Sequence, residues 1–222
     1  MSKVHISASI LAADWGNLGM AVRKAEAGGA DSVHVDIMDG HYVHNLTFGI
    51  KTLPCLKPHT SLPLIAHLEI RNPDHFIDDF ARAGSDMIVV QEDTCPNLAS
   101  TVQRIRSLGV QVGVALNPDR PLTAVADLAH QMDLLLIMSV HPGFGGQAFL
   151  AKVLPKVQAA RQLVDRLDRG PAVGLDGGIN SGTVQACVRA GADFLAIGSA
   201  VFHKGRIQDN IMELRSLINA AE

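Results

Sequence analysis

The stretch "AEAGGADSVHVDIM", residues 25–38, ends a helix, stops it on glycine and starts a strand. Ala-Glu-Ala favours helix, and a glycine after it can take the left-handed conformation that terminates one. "SVHVDIM" then alternates with the period of two expected of a strand. The same punctuation recurs in "ARAGSDMIV" (81–89) and "VRAGADFLA" (188–196). A helix that stops on glycine and feeds a new strand, repeated along one chain, is the signature of parallel β/α architecture.

Working outward from residue 25, the alternation covers the chain. Strand-like "VHISASIL", "SVHVDIM", "LPLIAHLEI", "MIVVQED", "QVGVALN", "LLLIMSV", "AVGLDGGI" and "FLAIGSAVF" alternate with helical segments. The helices are expected over "NLGMAVRKAEAG", "GIKTLPCLK", "PDHFIDDFARAG", "NLASTVQRIRSLG", "LTAVADLAHQM", "PKVQAARQLVDRL", "TVQACVRAG" and "RIQDNIMELRSLINAA". Pro54 interrupts or bounds the second, and Pro73 suits the first turn of the third. Eight such units close naturally into a single (β/α)8 TIM barrel, expected to span residues 1–222 as one domain. An open doubly wound sheet fits less well, because the first strand leads into "SILAADWG" with no GxGxxG fingerprint.

Composition narrows the function classes. The 222 residues are 47% apolar with a net charge of −3, and the basic residues are scattered, which argues against nucleic acid or an anionic membrane as partner. The longest apolar run, "LLLIM", is too short to span a bilayer, and no secretory signal is expected in "MSKVHISASILAADWG". Cys55, Cys95 and Cys187 form no CxxC pair and read as reduced thiols of a cytoplasmic protein.

In such a barrel the chemistry collects where strands end. Those positions carry Ser9, His34, Asp36, Met38, His67, Glu69, Gln91, Asn117, Met138, Ser139, His141, Asp176, Gly198 and Ser199. His34 and Asp36 lie two apart, so a strand points both to one face. With His67 from the next strand and Asp176 from the seventh, two imidazoles and two carboxylates form a set for one divalent metal. Zn²⁺, Fe²⁺, Mn²⁺ or Co²⁺ suits it better than Ca²⁺. His41 and His44 fall outside the alternation and read as loop residues. Glycines follow the last three strands in "HPGFGGQ", "DGGI" and "IGS", where backbone amides can approach an anion, so phosphate is expected there. The loop from His141 is long enough to close over a substrate as a lid.

With these residues placed, the chain resembles the ribulose-phosphate 3-epimerase family of ketose-phosphate 3-epimerases. The resemblance runs nearly end to end, through "SASILAAD", "HVDIMDGHYVHNLTFG", "AHLEIRNPDHFIDDFARAG", "GVALNPDRPL", "MSVHPGFGGQAF", "LDGGI" and "AGADFLAIGSAVF". It implies a phosphate-binding barrel and an isomerase of carbohydrate metabolism, in the pentose phosphate pathway, that converts D-ribulose 5-phosphate to D-xylulose 5-phosphate with one divalent metal. It makes His34, Asp36, His67 and Asp176 the metal ligands, with Asp36 and Asp176 doubling as acid and base. Substrate and phosphate would be met by Ser9, His67, Gly143, Phe144, Gly145, Gly146, Asp176, Gly177, Gly178, Gly198 and Ser199. Met38 and Met138 would line the metal site, and a homo-oligomer, dimer or hexamer, is implied.

Four positions depart from the family's usual residues. Glu69 stands in place of Met, His141 of Asn, Gln91 of His and His44 of Pro. Glu69, Gln91 and His141 are therefore candidates for altered specificity, with Glu69 expected to meet a substrate hydroxyl or to pair with His141 or His5. Two alternatives stand beside the pentulose phosphate: 3-epimerisation of another ketose phosphate, such as allulose 6-phosphate, and a non-catalytic paralogue that binds a sugar phosphate. A Schiff-base aldolase is disfavoured, since no lysine falls in the late half of an expected strand.

Overall fold

The structure is a computed structural model describing residues 3–221. Eight parallel strands close in sequence order: β1 (His5–Ser9), β2 (Ser32–Met38), β3 (Leu64–Glu69), β4 (Met87–Gln91), β5 (Gln111–Leu116), β6 (Leu134–Met138), β7 (Ala172–Asp176) and β8 (Phe194–Ile197). The helices are α1 (Leu18–Ala27), α2 (Thr52–Leu56), α3 (Ile77–Arg82), α4 (Leu98–Ser107), α5 (Leu154–Val164), α6 (Val184–Arg189), α7 (Ser199–Phe202) and α8 (Ile207–Asn219). This is the expected (β/α)8 barrel. No helix among the described residues is long and apolar enough to cross a membrane.

Strand alternation sorts the buried residues into two cores. Outward positions such as Val33, Val35, Ile37, Leu64, Ala66 and Leu68 pack against the helices. Inward positions fill the barrel with Ile65, Met87, Val89, Ala115, Leu134, Leu136, Phe194 and Ala196. Both faces of each strand are covered, which is why β2 and β3 are buried along their whole length. Space inside is tight: a Cβ on Gly113 would fall 2.7 Å from Val89, so glycine keeps β4 and β5 in register.

The repeat read from the sequence carries three of four aspartates that stitch the end of the barrel opposite the site, and Asp133 is the fourth. Asp31, Asp86, Asp133 and Asp193 each immediately precede an even-numbered strand. Their carboxylates accept from the backbone N–H of Ile6, Leu64, Val112 and Val173, at 2.8, 2.8, 2.9 and 2.6 Å. Each aspartate also donates its own N–H to the carbonyl of that same residue, at 2.8–2.9 Å. Four βαβ pairs are thus closed by one reciprocal device.

Three expectations are corrected. The segment expected as a helix over "LTAVADLAHQM" forms 3-10 turns, Leu122–Ala124 and Ala126–Gln131. Val125 sits at φ −129°, ψ −5°, outside the helical basin, with its side chain buried in the core, and this breaks the run. β1 stops at Ser9, where Ile10–Ala12 turns as a 3-10 helix. "FLAIGSAVF" is likewise only half strand: β8 ends at Ile197, and Gly198 turns the chain into α7.

Candidate active site

β2 supplies His34, Asp36 and Met38 to the interior, and β3 supplies His67 and Glu69 beside them, since Asp36 pairs with His67 and Met38 with Glu69 in the ladder. Asp176 comes from the end of β7, on the far side of β1 and β8. One ligand atom from each of His34, Asp36, His67 and Asp176 lies within 4.8 Å of the others, and all four residues are buried. His34 Nε2 is 3.1 Å from His67 Nδ1, 3.1 Å from Asp36 Oδ1 and 3.4 Å from Asp176 Oδ2. His67 Nδ1 is 3.1 Å from Asp36 Oδ1 and 3.5 Å from Asp176 Oδ2.

These spacings fit a cation. Bonds of ~2.0–2.1 Å around one tetrahedral ion put its ligand atoms about 3.3–3.4 Å apart. Two ring nitrogens facing each other and two carboxylates demand positive charge between or upon them. Without a metal, protons provide it. Burial disfavours each imidazolium, but Asp36 and Asp176 outweigh it and raise His34 to about 9. The same carboxylates, with Glu69 adding to them, raise His67 to about 10. Burial pushes Asp36 and Asp176 up, and the two imidazoles more than reverse this, holding both carboxyls below their usual range. A divalent ion can replace those protons with the donor set unchanged.

Neighbouring groups hold the cluster in place. Ser9 Oγ donates to Asp36 Oδ2 at 2.7 Å, leaving Oδ1 to the imidazoles. Thr47 Oγ1 donates to the Asp36 carbonyl and accepts from Met38 N–H at 2.9 Å, folding the loop after β2 back over the strand.

A cavity opens from this cluster toward the glycine loops. Its lining includes Ser9, Asp36, Met38, Glu69, Met138 and Asp176, together with Gly143, Phe144, Gly145, Gly146, Gly177, Gly178, Gly198 and Ser199. Glycine is required at the turn after β7. Gly177 and Gly178 have φ of 106° and 68°, and a Cβ on Gly178 would meet the Phe149 backbone at 2.6 Å. The loop after β6 is tied across the mouth by Asn45, whose Nδ2 donates to the Gly143 carbonyl at 2.8 Å.

The positions singled out as departures separate. Glu69 is buried and lines the cavity; burial and the nearby Asp36 and Asp176 raise its carboxyl to about 8, against the pull of His67. Gln91 lies behind His67, with its Nε2 3.0 Å from His67 Nε2. His141 is 61% exposed and turns to Asp119, 3.8 Å away. His5 sits at the far end of the barrel, 2.8 Å from Ser32 Oγ and stacked on Phe194. Neither histidine is a partner of Glu69. His41 is exposed, and neither it nor His44 lines the cavity.

Several lining residues were not singled out from the sequence: Leu11, Ala12, Val140, Pro142, Gln147 and Ile179. Most are apolar and carry no chemical signal. Gln147 had one, as the polar residue closing "HPGFGGQ"; its Nε2 donates to the carbonyls of His141 and Phe144, bracing the loop. At the mouth, the Tyr42 hydroxyl donates to Asp93 and accepts from Asn117.

A closed parallel barrel with a buried His2Asp2 cluster and glycine turns at its C-terminal mouth belongs to the class of (β/α)8 barrels, whose function collects at that mouth. Within that class, the chain belongs to the ribulose-phosphate 3 epimerase family, whose model matches residues 5–202. It is 40% identical over 213 residues to the ribulose-phosphate 3-epimerase of Bacillus subtilis, covering 96% of this chain and 98% of that one. It is 42% identical over 219 residues to the ribulose-phosphate 3-epimerase of Rhodospirillum rubrum, covering 99% and 95%. These relatives are isomerases acting on carbohydrates. Orotidine 5'-monophosphate decarboxylase from Sulfolobus solfataricus shares the fold, with a TM-score of 0.71, 8% identity and 99% of each chain covered.

Proposed function

We propose that this protein is a metal-dependent 3-epimerase that interconverts D-ribulose 5-phosphate and D-xylulose 5-phosphate. The observation that carries the reading is the convergence of two imidazole nitrogens and two carboxylates beside a cavity lined in part by the glycine turns after β6, β7 and β8. His34, Asp36, His67 and Asp176 would hold the divalent ion. When bound, the ion supplies positive charge against the negative charge that develops as the proton α to the ketone leaves.

The chain's own residues do the rest. Asp36 on β2 and Asp176 on β7 approach the cavity from separated strands, as inversion at C3 requires, because the proton must leave one face and return to the other. In one direction Asp36 or Asp176 starts ionised and takes the proton while the other starts protonated and gives one; in reverse the roles exchange. Ser9, bonded to Asp36 Oδ2, orients that carboxylate. Met38, Met138 and Val140 surround the reacting carbons with apolar surface and keep competing water out. Gly177, Gly178, Gly198 and Ser199 would take the phosphate through backbone N–H groups, and the loop carrying Gly143, Phe144, Gly145 and Gly146 would close over it. Retention of all four cluster residues favours catalysis over simple binding of a sugar phosphate.

The test is C3 hydrogen exchange of D-ribulose 5-phosphate in D2O, followed by NMR before and after chelation. Metal-dependent exchange with appearance of xylulose 5-phosphate is expected. Folded, metal-loaded protein that exchanges hexulose 6-phosphates but not the pentulose would move the assignment to another ketose phosphate.

A further inference from the structure

Glu69 ends β3 with 2% exposure, and its Oε2 has no hydrogen-bond partner. Its nearer oxygen, Oε1, is 3.9 Å from His67 Nδ1, beyond hydrogen-bond reach. A buried carboxyl oxygen left without a partner is destabilising, because it has given up its water and gained nothing in return. Because Glu69 lines the cavity, a ligand that enters can supply the missing partner.

Barrel order says which part of a ligand that would be. β3 lies diametrically across from β7, while the glycine turns follow β6, β7 and β8. A ketose phosphate with its phosphate in those turns and its reacting carbons between Asp36 and Asp176 extends its remaining end toward β3. That end is the C1 hydroxymethyl group.

The other polar side chains lining the cavity are committed elsewhere. Ser9 is bonded to Asp36, Gln147 to the His141 and Phe144 carbonyls, and Ser199 belongs to the phosphate end. Met38, beside Glu69 on β2, offers only a thioether.

We propose that Glu69 hydrogen-bonds the C1 hydroxyl of the substrate and makes the enzyme selective for 1-hydroxy ketose phosphates over their 1-deoxy counterparts. This rests on the epimerase reading above. A site built to hydrogen-bond a substrate hydroxyl rejects the analogue that lacks it, because its buried polar group is then left unpaired.

The experiment compares C3 deuterium exchange of D-xylulose 5-phosphate and 1-deoxy-D-xylulose 5-phosphate, which differ by one oxygen, in the metal-loaded wild type, Glu69→Met and Glu69→Gln. Wild type is expected to favour the hydroxylated compound by at least about 100-fold in kcat/KM. Glu69→Met should slow that compound, relieve the penalty the unpaired carboxyl imposes on the 1-deoxy compound, and bring the two within about tenfold. Glu69→Gln, which keeps a hydrogen-bonding group, should fall between. Wild type that exchanges both compounds within about threefold overturns the role of Glu69 while leaving the epimerase reading intact. So does a Glu69→Met enzyme that keeps the wild-type preference. Wild type that exchanges neither overturns the epimerase reading and this inference with it. Glu69→Gln, close to glutamate in shape, carries the comparison if Glu69→Met does not fold.

Discussion

Gln91 Nε2 lies 3.0 Å from His67 Nε2, on the opposite edge of the ring from the His2Asp2 cluster, and Gln91 Oε1 has no partner. A His67 that gives its Nδ1 lone pair to a metal must carry its proton on Nε2, and that N–H needs an acceptor. Rotating the Gln91 amide by half a turn presents Oε1 to it and satisfies both groups. An amide can serve either tautomer of His67, donating to the bare nitrogen or accepting from the protonated one.

Gln91→Leu should therefore weaken divalent-metal affinity about 10–100-fold, the cost of losing a hydrogen bond behind a metal-bound imidazole. Competition against a chromophoric chelator measures it. Affinity equal to wild type would remove Gln91 from the metal's support.

The pH dependence of the metal-stripped protein has a definite sign. Folded His34 and His67 keep their protons to about 9 and about 10, above the 6.5 of the free side chain. The folded state thus binds more protons than the unfolded chain over that range. This stability is fully present below about pH 6.5 and is lost as pH rises through the folded values. Asp36 and Asp176, held below their ordinary 3.8, contribute stability above it that is lost on acidification. Melting of chelated protein should show its highest Tm between about pH 4 and 6.5. A Tm that climbs from neutral to alkaline pH would contradict the charge pattern, whereas added divalent ion should protect the alkaline side.

Asp36→Asn and Asp176→Asn should each lower epimerisation by at least about 100-fold, since each removes one of the two proposed proton-transfer groups. Steady-state turnover in both directions, with metal content measured alongside, separates lost proton transfer from lost ion. A variant of either residue retaining metal and near-wild-type turnover would end the two-aspartate reading.

Gly178→Ala forces a Cβ to 2.6 Å from the Phe149 backbone at a φ of 68°. A loss of about 1–3 kcal/mol by denaturant titration is expected, with KM rising more than kcat falls, because the substitution deforms the turn proposed to hold the phosphate.

Asp133→Ala should cost about 1–2 kcal/mol of stability with little change in turnover, since Asp133 accepts from Val112 N–H at the end of the barrel away from the site. Unfolding midpoints and kcat measured on the same preparation check both halves.

Much of this molecule is local and was legible in the chain. The glycine stops at "AEAGGADSV", "ARAGSDMIV" and "VRAGADFLA" and the alternation of "SVHVDIM" fixed the order of elements, and period two alone put His34 and Asp36 on one face. Three of the four stitching aspartates, Asp31, Asp86 and Asp193, were present in the same repeat, but their acceptor role depends on a neighbouring strand.

Closure of the sheet decided the rest. It brought Asp176 from β7 against residues of β2 and β3, set Gln91 behind His67, left Glu69 Oε2 unpartnered in the cavity, turned His141 out to Asp119, and broke the segment at Val125. Propensity and spacing are properties of neighbours in sequence. Hydrogen-bond partners, burial and charge balance are properties of neighbours in space, and in a closed barrel those come from strands far apart in the chain.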